Sequence, residues 1–455
     1  MSGYPISLSA LSVSAGKSLP HGLTELRGTS FTDGTSSPAS GTIRFLDFLN
    51  KSIGNTPTVY PAHLRASSPI DNDQLGSSIS ISGNYAIAGA PYADPGGRSS
   101  AGAAYIFERT STFWVQRAIL IPSDSTAGDY FGGSVSISGD YAIIGARSAH
   151  PDGVNNAGAA YIFVRSGANW YQQMKLVASD KSAYDFFGGS VSISLTHAII
   201  GASSADPNGQ SSAGAAYIFA RSGSYWYQQA KLVASDFAYA DSFGSGVSIS
   251  GDYVIVGAYR EDPSGVSNAG SAYIFVRSGT LWSQQAKLVA SDKTASAQFG
   301  RDVSISGGFA IVGASRADVN GILQAGAAYV FVRSGTTWSQ QAKLVASDFA
   351  SDRIGGSVAI SSTGYAIAGA SSADPNGISG GGVAYIFKRS GSSWSQETKL
   401  ISPNIGPGDY FGTSVSIDGD RAVASAPREY VNSIRGGAGH VFKRNANGTW
   451  SNLTG

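Results

Sequence analysis

The chain has 455 residues, no cysteine, and 31 Lys and Arg against 30 Asp and Glu, for a formal net charge of +1. That balance excludes a global field that would draw it to nucleic acid or an anionic membrane surface, and the missing thiols exclude disulfides, thiolate metal sites and a Cys nucleophile. Hydrophobic residues at 42% argue against disorder, and 59 glycines with no three-residue period exclude collagen. In chain order, residues 1–57 come first and have a character of their own. They are rich in Ser, Thr and Gly, with short apolar clusters at Ile6–Leu11, Leu23–Leu26 and Ile43–Leu49. Ser7, Thr24 and Thr42 each suit the cap of a helical turn. No basic-then-apolar leader opens the chain, so export through an ordinary signal is not expected, and no run of about 18 apolar residues predicts a membrane span.

From residue 75 onward the sequence repeats. Trp114, Trp170, Trp226, Trp282, Trp338, Trp394 and Trp450 follow one another at intervals of 56 residues. A Phe-Gly pair keeps the same time at Phe131, Phe187, Phe243, Phe299 and Phe411, with Leu75-Gly76 and Ile354-Gly355 in the remaining slots. Each unit predicts four short strands. In the second, Ser134–Ser138 alternates with period two, Gly139-Asp140 is a hairpin turn, and Tyr141–Ala146 is the next strand. A longer loop leads to Ala159–Arg165, and Ser166-Gly167 turns the chain into a fourth strand starting near Trp170. Seven four-stranded antiparallel units predict an all-β, seven-bladed propeller. The last unit stops after Trp450 without the Lys-Leu-Val-Ala-Ser strand seen elsewhere. His63-Leu-Arg-Ala-Ser67 stands 12 residues before Leu75, as Lys175–Ser179 stands 12 before Phe187. Residues ~58–67 are therefore expected to complete the last blade and close the ring, giving a propeller over 58–455 behind an attachment segment at 1–57.

The segment Phe131-Gly-Gly-Ser-Val-Ser-Ile-Ser-Gly-Asp-Tyr-Ala-Ile-Ile-Gly-Ala146 resembles the FG-GAP repeat. That repeat builds the seven-bladed propeller of integrin α-chains and related bacterial and fungal proteins. Members of the fold bind calcium through an Asp-x-Asp-x-Asp-Gly loop. Here the loop between strands two and three reads Ala205-Asp-Pro-Asn-Gly209 or Ala373-Asp-Pro-Asn-Gly377, with one carboxylate left, so no metal site is expected. The other recurrent positions predict scaffold. An Arg series from Arg109 to Arg444 precedes each Trp across a tight turn, and stacking of guanidinium on indole explains the pairing, with sugar-stacking Trp platforms as the alternative. Tyr-Ile-Phe in the third strand predicts packing between blades, and Ser at alternate positions of the first predicts a crowded inner strand. Asp180, Asp236, Asp292 and Asp348 are expected to accept backbone N–H groups where strand four ends.

Catalysis has little support. The five histidines occupy unrelated repeat positions, and no metalloprotease, nucleophile-elbow or phosphate-loop motif occurs. A non-enzyme without cofactor is expected. Binding has a geometric basis: the turns between strands 1–2 and 3–4 share one face and are short, while the 2–3 loops and blade connections share the other and vary. Candidate binding residues on that loop face are Tyr92, Arg98, Arg147, His150, Tyr259, Arg260, Glu261, Arg316, Arg428, Glu429, Tyr430 and Arg435. Tyr and Arg are enriched at interface hot spots, although unconstrained loops also drift.

Within residues 6–52, Ile6-Ser-Leu-Ser-Ala-Leu11, Gly41-Thr-Ile-Arg-Phe-Leu-Asp-Phe48 and Lys51-Ser52 resemble segments of tailed-bacteriophage virion proteins that read Ile-Ser-Leu-Ser and Gly-x-Ile-Ser-Leu-Ser-Asp-Phe-x-Gly-Lys-Ser. Thr42-Ile-Arg-Phe-Leu46 departs from that core, and Asn50 replaces its Gly. The resemblance implies a tail, fibre or particle-surface protein located on the virion, bound to other virion proteins through residues 1–57. The propeller would then meet a host-surface glycan or protein, with self-association open and neither nucleic acid nor membrane insertion expected. A purely structural decoration or connector, and a cellular lectin-like adhesin, are the alternatives.

Overall fold

The computed structural model describes residues 63–452 apart from 112 and 349–351, together with the backbones of three short strands before them. The chain divides into two units, residues 1–58 and 59–455. In the first, Glu25–Leu26 pairs antiparallel with Ile43–Arg44. Extended strands thus follow Thr24 and Thr42 where helical turns were expected. The Ser7 cap and the virion-like segments otherwise lie outside the described residues.

The second unit is a seven-bladed β-propeller of four-stranded antiparallel blades. Blade 2 shows the pattern: Ser134–Ser138, Tyr141–Ala146, Ala159–Ser166 and Asn169–Leu176, in that order across the sheet. The outer pair carries a bulge between Ile162 and Phe163, and the bulge recurs in the outer pairs of blades 1 to 6. The core lies between blades. Each of seven buried clusters draws on two neighbours, as Ile143, Ile162 and Leu176 of blade 2 meet Phe187, Ile200 and Tyr217 of blade 3. Phe187 sits edge-on to Tyr217 and Phe219 at 5.5 and 6.1 Å. The Gly after it is required by close approach: Gly188 has φ +89, and a Cβ on Gly145 would run into its carbonyl.

First strands form a closed inner ring. Their outward N–H groups have no strand to pair with, so serines supply the acceptors. Ser78 and Ser80 Oγ accept the N–H of Val135 and Ile137 in the next blade at 3.0 and 3.3 Å, and Ser414 and Ser416 accept those of Ile79 and Ile81 across the closure. The alternating Ser pattern therefore satisfies a sheet edge with side chains. Where blade 4 has Gly246 in place of the first Ser, Asp302 of blade 5 accepts both its neighbour Val303 N–H and Val358 N–H of blade 6.

Closure comes from the N-terminal side, as expected, but the latch is shared between two blades. His63–Leu64 pairs with Gly439–His440 in blade 7, and Trp450–Asn452 pairs with Phe442–Arg444 of the same strand. The two pieces meet where other blades carry the bulge. Tyr60–Pro61 pairs instead with Phe113–Trp114 at the outer edge of blade 1. The segment thus bridges the seam it closes.

Candidate functional site

The recurrent residues are scaffold, and the structure assigns their partners. Arg165 and Trp170 face each other in the ladder. The guanidinium, however, lies over Tyr85 of the preceding blade, 4.8 Å from its centroid, rather than on the indole. It also pairs with Asp140 in the 1–2 turn and donates to Gly167 O in the 3–4 turn. Trp170 meets the same Tyr85 edge-on at 6.2 Å. Trp226 is fully buried, and its Nε1–H donates to Gln173 of the previous blade at 2.9 Å. These indoles are seam packing, not sugar platforms. On the turn face, Arg, Tyr and turn groups consume one another.

The connection aspartates are also corrected. Asp292 accepts from Tyr329 Oη at 2.9 Å and from Lys343 Nζ at 2.6 Å, both in the next blade. Asp124, Asp180, Asp236 and Asp348 take the corresponding lysines, Lys175, Lys231, Lys287 and Lys399. Burial alone would raise the Asp292 carboxyl, but the Lys343 and Tyr329 bonds hold it below the usual carboxylate range. Burial and the Asp292 charge push the Tyr329 hydroxyl far up. The carboxylate of the 2–3 loop is likewise occupied: Asp206 Oδ1 accepts the Ser212 N–H at 2.7 Å, closing its own loop. Among the described residues no group of three or more His, Asp or Glu side chains is placed to hold a metal ion.

The candidates of the loop face divide into three groups. Tyr92 and Arg147 come together. Tyr92 is 41% exposed and meets Tyr130 edge-on at 5.5 Å, and the Arg147 guanidinium lies 5.9 Å from the Tyr130 centroid. With Gln74, Ser77, Gly133 and Gly189 they line a cleft of about 210 Å³ at the start of the inner strands. Tyr259 and Arg260 form a second focus, with the guanidinium 5.2 Å from the ring and Arg301 5.8 Å from it. Arg260 also lines a cleft of about 330 Å³ with Tyr239, Asp262 and Asn268. In blade 7, Arg428 lies 5.0 Å from the Tyr410 ring, and Arg435 lies 5.9 Å from exposed Tyr430 while donating to Gly408 O and Arg428 O. Arg98, His150 and Arg316 are exposed but stand apart, and His150 Nδ1 bonds Ser148 O in its own loop.

Glu261 and Glu429 are not surface residues, which corrects the sequence reading. Both occupy a slot that is buried alanine in the other blades, at Ala93, Ala149, Ala205, Ala317 and Ala373. Glu261 accepts from Lys287 Nζ at 2.9 Å and from Ser271 Oγ. Glu429 is fully buried, accepting from His440 Nε2 at 2.5 Å, Arg65 Nη2 at 3.0 Å and Ser402 Oγ at 3.1 Å. Burial opposes its charge, but His440 and Arg65 hold the carboxyl down at about 2. Burial, with the charges of His440 and Arg65, lowers His63 to about 3. This cluster belongs to the latch.

The sequence reading missed a ring at the mouth. The residue just before each Phe-Gly slot is Gln74, Tyr130, Phe186, Ser242, Gln298, Arg353 or Tyr410, and all seven have φ between 52 and 59°. Holding a bulky side chain in this left-handed region costs roughly 1 kcal/mol or more. The sequence does carry a signal: this slot varies freely one residue before a position that is always large and apolar and two before an invariant Gly.

Seven segments of the chain match the model of the FG-GAP repeat, at residues 61–107, 114–163, 170–219, 226–275, 282–331, 338–387 and 394–442. Their frame starts at the outer strand of one blade and ends in the third strand of the next, so the first match begins beside the latch strand. No individual curated protein matches the chain. The fold is one that typically binds ligands or mediates adhesion rather than catalysing reactions. With most of its length accounted for by these repeats, the chain belongs to the FG-GAP repeat family.

Proposed function

We propose that this is a non-enzymatic recognition protein of a tailed-bacteriophage virion. Residues 1–57 attach it to other virion proteins at the tail, a fibre or the particle surface, and the propeller's loop face contacts a host-surface glycan or protein. The observation that carries the binding reading is the asymmetry of the two faces. On the turn face, Arg165 and Arg277 are each spent on a carboxylate and a turn carbonyl. On the loop face, Tyr92, Tyr239 and Tyr430 are 41, 73 and 58% exposed, beside Arg147, Arg260 and Arg435, which form no ion pair among the described residues. Exposed Tyr and Arg around a shallow cleft are the composition of an interface hot spot. The virion reading is supported by the resemblance of residues 6–52.

Two measurements test it. Protein analysis of purified particles from a lysate producing the chain is expected to find it among the structural proteins. Full-length protein is expected to bind host cells saturably, and Tyr92→Ala with Arg147→Ala should weaken that binding about tenfold or more with the melting transition unchanged. Absence from particles sinks the virion reading. Unweakened binding by this double variant, with unaltered folding, sinks the role of the Tyr92–Arg147 cleft.

A further inference from the structure

We infer that the loop face over blades 4–6 is a site for an anionic polysaccharide, organised by Arg260 and Arg301 around Tyr259, with Arg353 at the same mouth in blade 6. The inference rests on reading this face as a recognition surface and names the chemistry it recognises. All three arginines are exposed, and among the described residues none forms an ion pair with a carboxylate. Arg301 marks a departure from the repeat. The slot of Arg301, directly after the Phe-Gly pair, holds Ser, Gly or Thr in the other blades: Ser77, Gly133, Gly189, Ser245, Gly356 and Thr413. Arg260 occupies a slot that is Ser in blades 2, 3 and 6, Tyr in blade 1 and Arg again in blades 5 and 7.

Like charges so placed repel, and the surroundings hold rather than neutralise them. Arg260 and Arg301 both lie against the Tyr259 ring, at 5.2 and 5.8 Å. Arg301 Nη1 donates to Gln298 Oε1 at 3.2 Å, and Arg353 Nη2 donates to Gln324 Oε1 at 2.9 Å. A neutral amide orients a guanidinium and leaves its charge and remaining N–H donors for a ligand. The nearby acids spend their hydrogen bonds on other groups: Glu261 on Lys287, Asp262 on Asn268 N–H, Asp302 on Val303 and Val358 N–H, and Asp318 on Gln324 N–H. Guanidinium forks match carboxylate and phosphate oxygens in pairs.

Sugar is favoured over nucleic acid by the adjoining cleft of about 330 Å³. Its wall combines Arg260 with the exposed Tyr239 ring, the Asn268 amide and the carboxylates of Asp241, Glu261 and Asp262. A ring, an amide and carboxylates suit stacking on a pyranose and bonding its hydroxyls.

The test uses the full-length chain and four probes: polygalacturonate, poly(glycerol phosphate), neutral dextran and duplex DNA. One or both anionic carbohydrate polymers should bind, the arm that binds identifying carboxylate or phosphate as the recognised group. Binding should weaken as salt rises, and neutral dextran should not bind. Arg301→Ser and Arg353→Ser should each lower affinity about fivefold or more. Lys388→Ser, which removes the same charge near the 3–4 turn, should change it less than twofold. Failure of both anionic polymers to bind, unaltered affinity in both arginine variants, or tighter binding to DNA overturns the inference. Host-cell binding without polymer binding would remove the inference and leave the recognition reading standing. Arginine-dependent polymer binding by a protein absent from particles would do the reverse to the virion reading.

Discussion

Five seams of the propeller are built alike, and the blade that closes it is not. At the seams from blade 1 to blade 6, an aspartate leaving one blade meets a Tyr and a Lys of the next. These carboxylates are about half exposed, as the Asp292 side chain is at 48%, and screened pairs of this kind contribute ~1 kcal/mol or less. In blade 7 the same slots hold His440 for Tyr, His63 for Lys and Asn404 for Asp. The ionic contact has moved inward to Glu429, with no exposure at all. The difference follows chain continuity. Ordinary blades are held by a continuous backbone, so a surface clamp suffices. The last blade borrows part of its outer strand from the other end of the chain, where a two-residue backbone pairing is reinforced by side chains. A buried carboxylate facing Arg65 and His440 also fixes register, because sliding the strand would carry Arg65 away and leave the buried charge to His440 and Ser402 alone.

The comparison breaks most directly at Glu429. Glu429→Ala leaves Arg65 and His440 without their anion in a dry site, and removal of one partner of a buried pair typically costs about 3–5 kcal/mol. Denaturant unfolding should show that loss. A cost no larger than that of a surface clamp would mean the latch is held by Leu64 and its apolar neighbours alone. At an ordinary seam, Tyr329→Phe removes a hydroxyl that donates to Asp292 and leaves the ring in place. About 1 kcal/mol is expected there. The same measurement sharpens the contrast, since equal effects at the two seams would erase the distinction between a surface clamp and a buried anchor.

Much of this architecture can be read from the sequence because it is spaced by buried rings. The Trp and Phe-Gly series mark blades, and the 12-residue offset of His63–Ser67 from Leu75 places the latch in blade 7. What the sequence hides is the partner across a seam. Arg165 and Trp170 are visibly opposed by the turn between them, yet the ring that receives the guanidinium is Tyr85, 80 residues earlier. Glu261 and Glu429 look like loop residues because they lie past the end of strand two. Only the alanines in the matching slots show that the chain is buried there. The candidate site is legible in part. Tyr92 and Arg147 converge, but through Tyr130, whose left-handed backbone no spacing rule announces.

A smaller effect follows from a second acidic series, two residues before the Phe-Gly slot. Asp73, Asp241 and Asp409 are buried, and burial first, with neighbouring negative charge, raises each carboxyl to about 6. Their folded values lie above the unfolded 3.8, so their contribution to stability is full below pH 3.8 and is lost as pH rises through 6. Glu429 has the opposite sign: its contribution is present above pH 4.5 and is lost as pH falls through 2. Asp292 and the other clamp aspartates, held below 3.8 by their lysines and tyrosines, fail on the same acid side. The two sets oppose each other, so melting temperature should rise as pH falls from 7 toward 5 and drop below about 4. Asp241→Asn keeps an acceptor for the Ala238 N–H, now 2.6 Å away, and removes one titration. It should stabilise the protein at pH 7 by about 1 kcal/mol and flatten the neutral limb, leaving the acid limb unchanged. A variant that instead shifts the acid limb would place the pH dependence of the seams in this series rather than in the clamps and the latch.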